Sequence, residues 1–214
     1  VPPPAQAPEI GEARGAPDPA RVVPVDVATG LSYPWGLAFL PDGRMLVTEK
    51  GGRMRVVTAA GLVGDPLTGV PAVVASGQGG LLDVVLSPSF ATDQTLFFTF
   101  VEAAPAGGRH VAVGRARFAE TQLSDVQVIF RQSRSIDNDL HFGSRLAFGR
   151  DGNLFVSFGE RNDNLAAQAL DSHLGKVIRI RPDGSVPPDN PFVGVAGALP
   201  EIWSYGHRNP QGLT

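Results

Sequence analysis

No cysteine occurs in the 214 residues. Thiol nucleophiles, CxxC redox pairs, cysteine-ligated zinc and disulfides are therefore excluded. The compartment stays open, because many exported proteins also do without disulfides. Lysine is nearly as scarce: of 18 basic residues only Lys50 and Lys176 are lysines. We read that mainly as genomic base composition, with a smaller contribution from the aptness of arginine for anion sites. A net charge of −3 leaves no broad positive field to attract nucleic acid or an anionic membrane. No apolar run approaches the roughly 20 residues needed to span a bilayer. Helical periodicity is weak everywhere; the best segment, NLAAQALDSHLG (Asn164–Gly175), predicts about three turns at most.

Turn-forming residues are plentiful instead. The chain has 26 Gly and 19 Pro beside an ordinary 43% hydrophobic content, the mix of a turn-rich β protein. Residues 1–21 are Pro- and Ala-rich without periodicity and predict a disordered or extended leader. Such a spacer suits the stretch after a removed signal peptide, so a periplasmic or secreted protein is expected.

From residue 22 onward, short apolar runs alternate with turn signals. GLAFLPDGRMLVTE (Gly36–Glu49) reads as strand, Pro-Asp-Gly turn, strand. The figure returns at RLAFGRDGNLFVSFGE (Arg145–Glu160) and, more loosely, at LDVVLSPSFATDQTLFFTFVE (Leu82–Glu102). Further strands follow each copy, at Arg53–Ala60, His110–Phe118 and Gly175–Gly184. A fourth copy opens at PQGLT, where Gly212-Leu213 matches Gly36-Leu37. Repeated strand–turn–strand units that each gain further strands predict blades packed around an axis, a β-propeller. A β-sandwich is the alternative. The fold class expected is all-β, with about three blades and the first strand of a fourth over residues 22–214.

Three constellations could carry chemistry. In GQGGLLD (Gly77–Asp83), glycines surround Gln78 just before a strand. This is either a loop that a ligand approaches closely or a bulged strand entry. In DNDLHFGSRL (Asp137–Leu146), two acids and an amide precede His141. An imidazole with no metal-ligand spacing around it is either a general base or a hydrogen-bonded loop histidine. In HRNPQGL (His207–Leu213), Arg208 offers five fixed donors and Asn209 both donates and accepts. A capped turn is the plainer reading. Gln78, His141 and Arg208–Asn209 each precede the inner strand of successive copies, so one face should gather them. His110 and His173 read as packing or surface residues, and Trp35 and Trp203 as core or blade-edge aromatics. The acids Asp137, Asp139, Asp163, Asp171 and Asp189 show no EF-hand spacing, and no metal ligand is assigned. No GxSxG, HExxH, P-loop or Rossmann glycine pattern occurs.

YPWGLAFLPDGRMLVTEKGGRMRVV, GQGGLLDVVLSPSF, HFGSRLAFGRDGNLFVSFGE, AQALDSHLGKVIRIRPDGSVPPDNPF and EIWSYGHRNPQGL closely resemble the glucose/sorbosone dehydrogenase family, nearest its soluble aldose sugar dehydrogenases. The resemblance runs from about Val22 to Thr214. It implies a six-bladed β-propeller that binds pyrroloquinoline quinone (PQQ) across its axial face and oxidises aldoses to lactones. By the same resemblance His141 is the base that takes the anomeric hydroxyl proton while hydride passes to the quinone. Arg208 stabilises charge on the quinone oxygens, Asn209 is a neighbouring cofactor contact, and Gln78 lies near substrate and quinone. A calcium ion polarises the quinone, and the cofactor performs the redox chemistry.

Departures from the family pattern carry expectations of their own. Leu140 stands where glucose-specific relatives carry an acid, which suggests broader aldose specificity. Ser144 replaces a common glycine. The calcium ligands and the cations that grip the quinone carboxylates are expected mainly in later blades, so this chain alone is expected to be an inactive N-terminal portion. The sequence does not identify the electron acceptor. Two rivals remain: a calcium-dependent sugar lactonase, and a non-catalytic propeller that binds or assembles. Self-association of two such chains, or a C-terminal half, could close the ring.

Overall fold

A computed structural model describes residues 23–214; the leader expected at 1–21 lies outside the described residues. The chain forms three four-stranded antiparallel sheets. The first holds β1 (Pro34–Phe39), β2 (Met45–Glu49), β3 (Arg53–Val57) and β4 (Val63–Pro66), in that order. The second holds β5 (Leu81–Leu86), β6 (Thr95–Ala103), β7 (Arg109–Ala119) and β8 (Gln122–Arg131), with the one-turn helix α1 (Phe90–Asp93) between β5 and β6. The third holds β9 (Gly143–Phe148), β10 (Leu154–Phe158), β11 (Lys176–Ile180) and β12 (Ile202–Tyr205). β1 packs on β5 and β5 on β9, so the first strands of the sheets lie side by side as the inner strands of successive propeller blades. Among the described residues no helix is long and apolar enough to cross a membrane.

The first turn of each sheet is built the same way. Asp42, Asp93 and Asp151 each accept, through Oδ1, the backbone N–H two residues on, at 3.0, 2.8 and 3.1 Å. Such an Asx turn launches the second strand. Apolar faces then decide the packing. β6 is covered on both sides: Leu96, Phe98 and Phe100 enter the core shared with the first sheet, Phe97 and Val101 the core shared with the third. A strand buried on both faces needs a near-continuous apolar run, which accounts for TLFFTFV. Each ring fully removed from water contributes about 1.5–3 kcal/mol.

All three inner strands bulge at the same place, between Pro34 and Leu37, between Leu81 and Val84, and opposite Val156–Phe158. A bulge leaves one inner-strand N–H without its ladder partner. A hydroxyl on the second strand takes it: Gly36 N–H donates to Thr48 Oγ1 at 2.8 Å, Asp83 N–H to Thr99 Oγ1 at 2.9 Å, and Arg145 N–H to Ser157 Oγ at 3.0 Å. The hydroxyl proton goes to the next sheet. Thr48 donates to the Leu82 carbonyl at 2.5 Å and Thr99 to the Ser144 carbonyl at 2.8 Å. One buried side chain thus closes a bulge and joins two blades. Thr99→Val keeps the shape but strands both partners, so urea unfolding should show a loss of about 1–3 kcal/mol; an unchanged midpoint would contradict this joint.

Two local expectations differ from the structure. Asn164–Gly175 forms a run of turns and no helix. Residues 206–214 form no strand: an inner strand pairs with the second strand of its own sheet, as β1 does with β2, and PQGLT has no such partner among the described residues.

Candidate active site

The GQGG glycines serve close approach. Gly77 (φ +53°) lies against Asp139, and Gly80 (φ +148°) lies against the Lys50 carbonyl, with no room for a Cβ at either. Gln78 can then bridge to the third sheet. Its N–H donates to the Asp139 carbonyl at 2.8 Å, and its Oε1 accepts the His141 N–H at 2.8 Å. The motif is both a strand entry and a clamp on the histidine loop.

That loop is tied down by charge as well. Asp137 and Asp139 both pair with Arg109, and Ser76 Oγ donates to Asp139 at 2.7 Å. His141, 7% exposed, sits at φ +52°. Its Nδ1 lies 2.8 and 3.0 Å from the two carboxylate oxygens of Glu160, which is 1% exposed. A carboxylate can only accept, so Nδ1 carries the proton, and in the neutral imidazole the lone pair lies on Nε2. Ser144, which stands in place of a common glycine, is buried and keeps a glycine-like φ of +81°. Its Oγ donates to the Phe142 carbonyl at 3.2 Å.

The segment after β12 docks on the third sheet. Glu160 N–H donates to the Arg208 carbonyl at 2.8 Å, Gly143 N–H to Asn209 Oδ1 at 3.0 Å, and Arg145 Nε to the Gln211 carbonyl at 2.8 Å. The Arg208 side chain is exposed, and among the described residues its guanidinium makes no hydrogen bond or ion pair. Lys176 supports this segment from below. It is fully buried, and Nζ donates to the carbonyls of Ala166, Ala167 and Leu174 at 2.8, 3.0 and 2.6 Å. Gly206 N–H and His207 N–H dock on the turn so held, at the Ala167 and Gly175 carbonyls. Burial and then the Lys176 charge push the His207 imidazole below its ordinary value.

Burial pushes the Lys176 ammonium down to about 8, against the opposing pull of Asp171. Between that value and the unfolded lysine value of about 10.4, the unfolded chain binds a proton that the folded chain does not. Stability from this group therefore rises as pH climbs through that window. The unfolding free energy of wild type minus that of Lys176→Met should increase from pH 8 to 10.5, by up to about 3 kcal/mol. A flat difference contradicts the burial of an unpaired ammonium.

Residues of the first and third sheets, the loop before β5 and the segment after β12 wall one cavity of about 420 Å³, lined by Trp35, Lys50, Gln78, Phe142, Asn209 and Gln211 with Gly77 and Gly143. Gln78 and Asn209 meet there as expected. His141 adjoins the wall residue Phe142 in the chain without lining the cavity itself, and Arg208 adjoins Asn209 likewise. No carboxylate lines the cavity; Lys50 is its one charged wall residue, and its Nζ donates to the Gly77 carbonyl at 2.6 Å. Both aromatic walls are backed by guanidinium groups, Trp35 by Arg145 at 4.2 Å and Phe142 by Arg161 at 3.7 Å. Among the described residues no group of three or more His, Asp or Glu converges as a metal site.

His110 and His173 are buried packing residues. His110 Nε2 bonds Glu102 at 2.9 Å, and His173 Nδ1 accepts the Ser133 N–H at 2.9 Å. Sequence reasoning missed Glu160, Lys50 and the place of Trp35. A signal for Glu160 was present. Glu102 and Glu160 each follow the bulge-closing hydroxyl, Thr99 or Ser157, by three residues, and each accepts from a histidine ring.

Residues 31–214 match the family model described as Glucose / Sorbosone dehydrogenase. The chain is 45% identical over 186 residues to the aldose sugar dehydrogenase YliI of Escherichia coli K12, covering 86% of this chain and 50% of that protein. A crystal structure of the soluble aldose sugar dehydrogenase of Escherichia coli in its apo-form superposes with a TM-score of 0.85 at 43% identity, covering 88% of this chain and 55% of that one. The PQQ-bound aldose sugar dehydrogenase of Streptomyces coelicolor gives 0.72 at 37% identity, covering 86% and 53%. The chain spans about half the length of the curated relatives it matches. It belongs to the glucose/sorbosone dehydrogenase family.

Proposed function

We propose that the protein oxidises aldose sugars to lactones with PQQ as oxidant, His141 acting as the general base. The observation that carries this reading is the His141–Glu160 pair beside an aromatic, carboxylate-free cavity. Glu160 holds the Nδ1 proton, so Nε2 is the nitrogen that accepts the proton of the anomeric hydroxyl. Burial of the pair excludes water and keeps the imidazole in one tautomer.

The walls suit PQQ, a flat anionic quinone: two aromatic faces, an ammonium, no opposing carboxylate, and a volume in the usual range for ligand pockets. When bound, PQQ supplies the two-electron acceptor for oxidation at the anomeric carbon. Arg208, with its guanidinium uncommitted, would hold the quinone oxygens, and Asn209 and Gln78 would be further contacts. Leu140, 40% exposed, offers the sugar no charge, in keeping with broad aldose use. Among the described residues no cluster of three or more carboxylates or imidazoles would hold calcium, and no step is assigned to it. Export to the periplasm or medium belongs to the same proposal.

The test is aldose-dependent reduction of a dye by the full-length protein reconstituted with PQQ. Turnover is expected there, and none from the 214-residue chain alone, which matches only half of its relatives. Hydrolysis of a sugar lactone without quinone would instead establish the lactonase reading.

A further inference from the structure

None of these steps uses Arg161. It is 1% exposed, among the largest fully buried side chains, and no carboxylate pairs with it among the described residues. Burial, with Arg109's charge, pushes it down to about 10, so it remains a cation at neutral pH. Removing a guanidinium from water without a counter-charge is costly, and an apolar residue of similar volume would fill the space more cheaply. What an apolar residue cannot supply is directed donors. Arg161 aims its donors at the loop bearing His141: Nε to the Leu140 carbonyl at 2.8 Å and Nη2 to the Asn138 carbonyl at 2.5 Å. Nη1 reaches the Arg109 carbonyl at 3.3 Å. Asn138 Nδ2 donates back to the Arg161 carbonyl at 2.5 Å. The guanidinium also lies 3.7 Å from the centre of the Phe142 ring. One side chain therefore grips the residues immediately before and after His141.

The backbone needs that grip. His141 and Arg161 have φ of +52° and +56°, a region that residues with side chains hold only when their surroundings over-determine it. Arg161 also follows Glu160, the acceptor for His141 Nδ1. We propose that Arg161 is a positioning residue: it holds the His141 backbone in the left-handed conformation from which Nδ1 meets Glu160. Its catalytic consequence rests on the reading of His141 as the base; the positioning itself does not.

The test compares Arg161→Lys and Arg161→Met in the full-length protein. With PQQ bound, kcat for an aldose should fall about tenfold in the lysine variant and about 100-fold in the methionine variant, with KM within about twofold of wild type, since small misplacements cost this much. Without PQQ, NMR of histidine-labelled protein should show the His141 Nδ1–H resonance shifted and broadened in both variants. If both keep the wild-type resonance and kcat, the proposal is overturned, whatever happens to the melting temperature. A rise in KM at constant kcat overturns it equally. Should the methionine variant not fold, the charge-retaining lysine variant decides. A wild-type protein that oxidises no aldose defeats the proposed function alone, because the NMR comparison still reports on positioning.

Discussion

Replacing His141 with Asn should lower kcat for aldose oxidation by about 10³-fold, within the range that a positioned general base supplies. Asparagine keeps the size of the residue and its tolerance of positive φ, so the loop geometry at +52° survives. What is lost is the imidazole nitrogen that accepts the proton. Gln78, Arg161 and Asn209 act on the backbone or on neighbouring residues and do not depend on the imidazole. Thermal unfolding should therefore change little while steady-state dye reduction collapses. A variant that keeps more than about a tenth of wild-type kcat cannot have lost a general base worth 10²-fold or more.

Glu160→Gln should cost about 10²-fold in kcat by a different route. The amide can present its NH₂ group to Nδ1, which then accepts, and the ring proton moves to Nε2. The base is still present, but its lone pair faces the wrong way. The best-studied case of such a substitution, in a serine protease triad, costs about 10⁴-fold through the wrong tautomer. We expect less here, because an amide turned to present its oxygen preserves the productive tautomer in part of the population. Histidine NMR separates the two tautomers directly. A Glu160→Gln protein with full kcat and the wild-type tautomer would remove Glu160 from the mechanism.

The first three strands of each sheet were legible in the sequence, and the fourth was not: β3, β7 and β11 lie at the further strands expected after each copy. β1–β2, β5–β6 and β9–β10 lie where strand–turn–strand copies were expected, because Asp-containing turns and buried apolar faces leave a local trace. β4, β8 and β12 leave little. The residues of β4 run Val-Gly-Asp-Pro and are mostly exposed, and β12 follows β11 only after a 21-residue excursion. An outer strand packs less and so carries no strict alternation. The site shows the same divide. His141 and Asn209 stood out as unusual residues in turn-rich loops. Glu160 and Arg161 did not, since 19 and 20 residues separate them from His141 and each looks like an ordinary surface charge. Their burial arises only when the third sheet folds their loop back on 138–142.

Single-turnover kinetics offers the most direct test of the central claim that His141 is the base for sugar oxidation. Full-length wild type and His141→Asn are each loaded with PQQ, mixed with an aldose, and followed by the absorbance change of the bound quinone. The proposed chemistry predicts similar PQQ affinity in both proteins and reduction about 10³-fold slower in the variant. Equal reduction rates in the two loaded proteins would contradict it.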